Sequence, residues 1–157
     1  MKKLMALMLA FVCVLTMTAC GGKAEGEVFN LESLDKVQQA GAFSEELEEL
    51  DADTAFMLYK LADYGLSREN LSEAAVVRSA GATCEEGAVL IFSDAEKANA
   101  AAEALGDYLE SQIEANVNYR PNEIPKLEGA ILLVRANTVL LVVPNDAAAV
   151  RNLFEYQ

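Results

Sequence analysis

The stretch “AILLVRANTVLLVV”, residues 130–143, consists of two apolar runs separated by the dipeptide Ala136–Asn137. Short runs rich in valine, isoleucine and leucine between turn residues are typical of β-strands. A turn centred on the dipeptide predicts an antiparallel hairpin. Because Asn tolerates a positive φ while Ala does not, a turn of three or four residues is an equal alternative. The two-residue turn predicts the register pairs Val134–Val139 and Leu132–Leu141.

Two further β-like runs precede this hairpin, “EAAVVRSA” at residues 73–80 and “GAVLIFS” at residues 87–93. The connecting “GATCEE” has the length and composition of a hairpin connection. A long helix is predicted next, because Ser93 and Glu96 have the spacing of a capping box. One apolar stripe at helical spacing runs along it. Its members are Ala98, Ala102, Leu105, Leu109 and Ile113.

Helices are also predicted towards both ends of the chain. Asn30 is an N-cap candidate for a first helix, and Gly41 lies just past its end. A second short helix is expected over residues 56–64, closed by Gly65. “NDAAAVRNLFEY”, residues 145–156, predicts a closing helix. The fold class is therefore predicted as α+β, with a mainly antiparallel four-stranded sheet and packed helices in the order α-α-β-β-α-β-β-α.

The predicted strands “AVLIF”, “AILLV” and “TVLLVV” are apolar throughout instead of alternating. Strands of this kind are usually covered on both faces. We expect the helices to cover the sheet on both sides. The alternative is an apolar sheet face that meets a partner or a second copy of the chain.

The first 30 residues have the layout of an exported, lipid-anchored protein. Two lysines, an apolar run and a small pair precede Cys20, and the run is shorter than the roughly 20 residues of a membrane span. “MTAC” resembles the lipobox of bacterial lipoproteins, in which the cysteine sulfur receives a diacylglycerol and the new amino terminus is usually acylated. We therefore predict a signal peptide over residues 1–19, lipidation of Cys20 with a flexible tether over residues 20–30, and one globular domain over residues 31–157. The alternative is an ordinary signal peptide with an incidental cysteine.

This prediction places the protein at the cell membrane, lipid-anchored on the extracytoplasmic face. Only Cys84 then remains as a thiol in the mature chain, so an intramolecular disulfide is impossible. The net charge of −13 argues against nucleic acid as a partner, because such sites require a basic patch.

Little in the sequence suggests catalysis. The chain has no histidine, which removes Ser-His and Cys-His nucleophile activation. Cys84 is followed by Glu85 and Glu86, whose charges raise a thiol pKa, so it is interpreted as an incidental residue. We predict no enzyme activity, no catalytic residue, no metal site and no cofactor. The acidic residues 45–53 are interpreted as a solvated surface, and whether they bind a cation is left open.

A candidate binding surface is formed by loop and strand-end residues. Tyr119, Arg120 and Pro121 follow the long helix in a loop, the kind of segment that often presents contacts from a rigid scaffold. Glu86 is added to this surface. The alternative for Tyr119 is that its ring packs against the end of the long helix.

Four segments carry a resemblance to a known family: “MLYKLADYGL”, “GATCEEGAVLIF”, “NYRPNEIPKLEGAILLV” and “ANTVLLVVPND”. In order and spacing the chain resembles short secreted lipoproteins of Gram-positive bacteria that contain the domain of unknown function 4358. The family has a Tyr-Gly segment before the first strand, a Glu at the start of the second and a Tyr-x-Pro motif after the long helix. The matching residues here are Tyr59 or Tyr64 with Gly65, Glu86, and Tyr119 with Pro121. The family hairpin turn has a glycine where Ala136 stands. The resemblance implies a compact lipid-anchored domain and brings no known activity.

Together these observations predict a binding or protein-interaction module at the cell envelope. It would engage an envelope protein partner, itself, or a small ligand. Two alternatives remain: a carboxylate hydrolase, which needs Glu86 and a second acidic residue in one pocket, and an accessory lipoprotein that acts through an apolar sheet face.

Overall fold

The computed structural model describes residues 27–154. The predicted signal peptide, Cys20 and the tether up to residue 26 lie outside the described residues. Among the described residues, no helix combines the length and apolar character that a membrane span needs.

The described chain is an α+β domain with five antiparallel strands. The helices are α1 (Leu31–Gln39), α2 (Ala52–Leu58), α3 (Ala95–Asn116), α4 (Ile124–Glu128) and α5 (Ala147–Phe154). The strands are β1 (Glu48–Leu50), β2 (Leu71–Arg78), β3 (Glu86–Phe92), β4 (Ile131–Arg135) and β5 (Thr138–Val143). They form one sheet in the order β1-β2-β3-β5-β4. Short 3₁₀ turns cover Leu61–Tyr64, Arg68–Asn70 and Pro121–Glu123.

The predicted number of four strands is wrong, because β1 adds a fifth strand at the edge of the sheet. Its three residues pair with the end of β2, with Leu50 opposite Val76. So short a strand, placed within an acidic run, has no alternating pattern to detect. Its pairing with β2 makes it a strand.

The hairpin register is confirmed. Val134 pairs with Val139 and Leu132 with Leu141 across a two-residue turn. The turn requires Ala136 to adopt a φ of +52°, in the left-handed region that disfavours residues with a Cβ. The pairing of the two strands therefore overrides the local preference of alanine.

Side-chain caps mark where α1 and α3 begin. Asn30 caps α1 as predicted, in a capping box with Ser33. The predicted cap of α3 is wrong by one residue, because Asp94 and not Ser93 accepts from the backbone N–H of Lys97. The predicted helix over residues 56–64 is interrupted, since Lys60 has a φ of +51° between α2 and the Leu61–Tyr64 turn.

Two apolar cores lie on opposite faces of the sheet, and this confirms that helices cover it on both sides. Alternate residues of β3 and β5 point into each core, as the two-residue period of a strand requires. Residues of α2, the Leu61–Tyr64 turn and α3 pack in one core, and residues of α1 and α5 in the other. We call the first face the α3 face and the second the α1 face.

The domain begins before its predicted boundary at residue 31. Phe29, assigned to the tether, is buried in the core of the α1 face, with its ring 5.5 Å from that of Phe154. Its backbone N–H donates to Oγ1 of Thr138 at 3.1 Å. Thr138 pairs with Ile91 near the end of β3, whereas Glu86 pairs with Val143 at the start of that strand. The chain therefore enters the domain at the end of the sheet opposite to Glu86.

Candidate functional site

A cavity of about 450 Å³ opens on the α3 face, between α3 and the segment that runs from α2 into the Leu61–Tyr64 turn. This volume lies within the range of small-molecule sites. The lining residues are Leu58, Tyr59, Lys60, Asp63, Tyr64, Ala104, Asp107, Tyr108 and Ser111. Positions 104, 107, 108 and 111 of α3 have the three- and four-residue spacing of one helix face, which explains why they line one wall.

Two buried tyrosines form the floor of the cavity. The rings of Tyr59 and Tyr108 meet edge to face with their centroids 5.1 Å apart. Both hydroxyls donate to the carboxylate of Glu86, Tyr59 at 2.6 Å to Oε1 and Tyr108 at 2.7 Å to Oε2. These bonds hold both rings in place beneath the opening, because each phenol is anchored at its polar end.

Glu86 lies in the interior, where only 2% of its surface is exposed. Its Oε2 is 3.1 Å from Nε of Arg78, which extends from the end of β2. Burial raises the pKa of Glu86, although the hydrogen bonds from the two tyrosines and the charge of Arg78 oppose that rise. Glu86 is predicted as part of a surface, and the structure corrects this, since its carboxylate is buried against the two tyrosines that line the cavity.

The mouth of the cavity is lined by charged groups. The hydroxyl of Tyr64 donates to Oδ2 of Asp107, a contact that joins the 3₁₀ turn to α3. That hydrogen bond first, and then burial and the charges of Asp107, Asp63 and Glu103, raise the pKa of Tyr64 to about 12. Lys60 is exposed at the rim, on the left-handed residue that separates α2 from the turn.

Glu85 directly precedes β3 and occupies a separate site on the α1 face, beside Ser44. It is fully buried, and it accepts from the backbone N–H and the hydroxyl of Ser44 and from Nζ of Lys126 at 2.7 Å. Burial opposes its ionisation, but the hydrogen bonds from Lys126 and Ser44 outweigh it and hold the pKa of Glu85 below its usual value. The two adjacent glutamates therefore do not share a pocket.

The predicted loop residues lie at the end of α3 and not in the cavity. Tyr119 is 80% exposed, so its ring does not pack in the core. Arg120 donates to the carbonyl oxygens of Gly81 and Thr83 at 2.9 and 3.0 Å and to Asn116. It thereby fastens the β2–β3 connection to the end of α3. Pro121 begins the 3₁₀ turn that leads into α4.

Cys84 is a half-buried free thiol in the β2–β3 connection. Burial is the main cause that raises its pKa, and the charge of Arg120 opposes the rise. A raised pKa leaves little thiolate, which is the nucleophilic form.

Three of the acidic residues 45–53 make contacts within the domain. Asp51 caps α2, Asp53 pairs with Arg68 at 2.6 Å, and Glu45 accepts from the hydroxyl of Thr83. Within residues 27–154, no group of three or more His, Cys, Asp or Glu side chains is placed to hold a metal ion.

Fold and cavity together define an α+β domain with a tyrosine-floored cavity of small-ligand size. Residues 43–144 match the family model described as Domain of unknown function (DUF4358), and the chain belongs to this family. Neither a curated protein nor a solved structure matches the chain.

The structure joins two of the positions that carried the family resemblance, since Tyr59 donates to Glu86. Tyr64 also lines the cavity, but it bonds to Asp107. Sequence reasoning missed Tyr108, Asp107 and Lys60. The sequence carries a signal for the first two, because Ala104, Asp107, Tyr108 and Ser111 form a helical stripe beside the apolar one.

Proposed function

We propose that this protein is a lipid-anchored, extracytoplasmic binding module whose ligand site is the cavity on the α3 face. The observation that carries the proposal is the floor of Tyr59 and Tyr108, both bonded to Glu86. Binding sites combine apolar and aromatic walls with a few oriented polar groups in a concave, pre-formed site. Here a buried network fixes two rings at the base of an open cavity.

The geometry favours binding over carboxylate hydrolysis. An acid–base pair needs a second carboxyl group positioned across the substrate. The contacts of Glu86 among the described residues are two phenols and a guanidinium, and Glu85 lies on the other face of the sheet. Asp63 and Asp107 also line the cavity, but they lie at its mouth, and Asp107 accepts a hydrogen bond from Tyr64. The two phenols and the guanidinium all donate to Glu86, so its carboxylate is suited to positioning the two tyrosine rings.

The accessory-lipoprotein alternative receives no support from the sheet, because both faces of β3 and β5 are covered by helices. A protein partner would instead contact exposed loops. The most exposed of the predicted contact residues is Tyr119, at the end of the sheet where β3 starts.

The proposed anchor on Cys20 would attach the domain at one end of its sheet. The chain enters the domain at Phe29, next to the end of β3. Glu86 starts that strand, roughly 20 Å away at about 3.3 Å per residue. A lipid on Cys20 would therefore attach the domain to the membrane through its Phe29 end, the end opposite to Glu86 and Tyr119.

Intact-mass measurement on protein extracted from membranes tests the anchor. We expect the mass of a chain that begins at Cys20 and carries diacylglycerol and an additional acyl group. Cys20→Ser should abolish membrane retention. A mass that matches a chain beginning at an unmodified Cys20 would contradict the anchor.

Thermal melting of the full chain tests binding, with and without a panel of cell-wall sugars, peptides, amines and divalent cations. A ligand at about 100 times its Kd adds roughly 2.7 kcal/mol to the folded state. Ser111→Trp should abolish the shift, because it places an indole at the cavity mouth, whereas Asn99→Trp on an exposed part of α3 should retain it. A shift that survives Ser111→Trp would place the ligand outside the cavity.

A further inference from the structure

Negative charge is concentrated at the mouth of the cavity. Asp63 lies on one side, in the 3₁₀ turn, and Asp107 lies on the other, in α3. Glu103 adds a third carboxylate, close enough to Tyr64 to affect the pKa of its phenol. The whole chain carries a net charge of −13, so its long-range field also attracts cations and repels anions.

The walls complement these charges with aromatic surface. Three of the lining residues are tyrosines, and Tyr59 and Tyr108 are held rigidly by Glu86. Aromatic rings attract organic cations through their negative faces, and clusters of rings are a recurrent way to bind quaternary ammonium groups. Rings at the base and carboxylates at the rim suit a ligand that carries its positive charge on an apolar frame.

Lys60 is the basic residue among those that line the cavity. It lies at the rim and is exposed, so its ammonium group is free to remain in water while a ligand occupies the interior. Arg78 lies beneath the floor and is engaged by Glu86. The arrangement therefore provides a cation at the edge of the cavity and none at its centre.

We infer that the cavity binds the cationic group of an organic amine or quaternary ammonium compound, with the charge between Asp63 and Asp107 and the apolar part against the tyrosines. This inference rests on the binding function proposed above and specifies its ligand class.

Titration of the full chain, labelled with fluorotyrosine and followed by fluorine NMR, tests the inference with four probes. The cations are choline and cadaverine. The controls are the neutral isostere of choline with carbon in place of nitrogen, and glutarate, an anion matched in length to cadaverine. We expect the two cations to shift the resonances of Tyr64 and Tyr108 while exposed Tyr119 stays unchanged. We expect no shift with the neutral isostere or with glutarate.

Charge variants give the sharper test. Asp107→Asn should weaken choline binding by about fivefold or more, since a charge-assisted contact is lost. Glu110→Gln is the matched control, because it removes one carboxylate of α3 that does not line the cavity, and it should change Kd less than about twofold. Lys60→Gln should tighten choline binding by about twofold, because it removes a like charge at the rim.

The outcomes separate this inference from the proposed function. If the neutral isostere or glutarate binds and Ser111→Trp abolishes that binding, the cavity is a ligand site but the cationic class is wrong. If Lys60→Gln weakens choline binding, Lys60 does not act as a like charge beside the bound cation, and the inference is overturned. The absence of any shift with either cation at millimolar concentration also overturns it, while a cavity-dependent shift from another compound of the melting panel would leave the binding function intact.

Discussion

Glu85 and Glu86 are adjacent in the chain, and each is almost completely removed from solvent, but they lie in opposite environments. Glu85 meets a lysine ammonium and two donors of Ser44, and its pKa is lowered. Glu86 meets two phenols and a partly exposed arginine, and burial raises its pKa. The difference shows that burial alone does not decide the protonation of a carboxyl group. Each carboxylate has three donors, one of them cationic, so the direction of the pKa shift depends on how far these donors offset the cost of burial.

The difference also separates two roles. A fully buried carboxylate that is paired with a half-buried ammonium stabilises the fold and has no lone pair directed at solvent. A carboxylate that holds two phenols orients aromatic surface that a ligand can touch. We therefore regard the Glu85 site as structural and the Glu86 site as the support of the proposed binding cavity.

The largest effect is expected from breaking the Glu85 pair. Lys126→Met should destabilise the protein by about 3 to 5 kcal/mol at neutral pH, because it leaves a buried carboxylate without its cation. Urea denaturation measures the change. Lys97→Met is the matched control, since Lys97 pairs at 3.9 Å with a Glu96 that is 90% exposed, and it should cost less than about 0.5 kcal/mol. A loss of similar size in both variants would contradict the role assigned to Glu85.

A smaller effect is expected at Glu86. Glu86→Gln should cost about 2 kcal/mol, because the amide NH₂ cannot accept the hydrogen bond of a phenol or of Arg78. The same variant should loosen Tyr59 and Tyr108 and weaken ligand binding. Glu96→Gln on the surface serves as the control for the loss of one carboxylate. If Glu86→Gln keeps the full stability and the full ligand affinity of the original protein, Glu86 does not hold the two tyrosines in place.

The pH dependence of stability should separate the two glutamates by sign. Glu85 has a lowered pKa in the folded state, so its contribution is present above its unfolded pKa and is lost as pH falls through the folded value. Glu86 has a raised pKa, so its contribution is present below its unfolded pKa and is lost as pH rises through the folded value. Glu85→Gln should therefore flatten the acid loss of stability, whereas Glu86→Gln should steepen it. Urea midpoints between about pH 3 and pH 7 measure both slopes, and the same sign in both variants would refute the comparison.

The smallest effect is expected at Ala136, in the β4–β5 turn and distant from both glutamates. Ala136→Gly should raise stability by about 0.5 to 1 kcal/mol, because glycine adopts a φ of +52° without a Cβ clash. The gain should be equal at acid and neutral pH. Ala136→Gly therefore serves as a pH-independent control for the urea measurements on the two glutamate variants. A gain in stability that changes with pH would show that the turn is coupled to a titrating group.

Local sequence patterns predict much of the fold correctly. The hairpin register followed from “AILLVRANTVLLVV”, and the cap at Asn30 and the helix coverage of both sheet faces were also predicted correctly. The errors arose where a local preference competes with a distant contact. Ser93 and Asp94 can both cap a helix, and β1 has no pattern of its own.

The candidate site was predicted less well than the fold. Glu86 and the Tyr59 or Tyr64 positions were singled out through the family resemblance, but the cavity was not foreseen and Glu86 was placed on the surface. Tyr59 and Tyr108 lie 27 and 22 residues from Glu86 in the chain, and Ser44 and Lys126 each lie 41 residues from Glu85. No local pattern encodes such distances.

The sequence by itself determined the α+β class and most strand and helix positions, because hydrophobic periodicity, turn residues and caps act over a few neighbouring residues. Only the tertiary structure decided what each glutamate meets, since the packing of α3 on one face and of Ser44 and Lys126 on the other determines the donors. Those donors produce a structural ion pair at Glu85 and, at Glu86, the organised floor of a cavity.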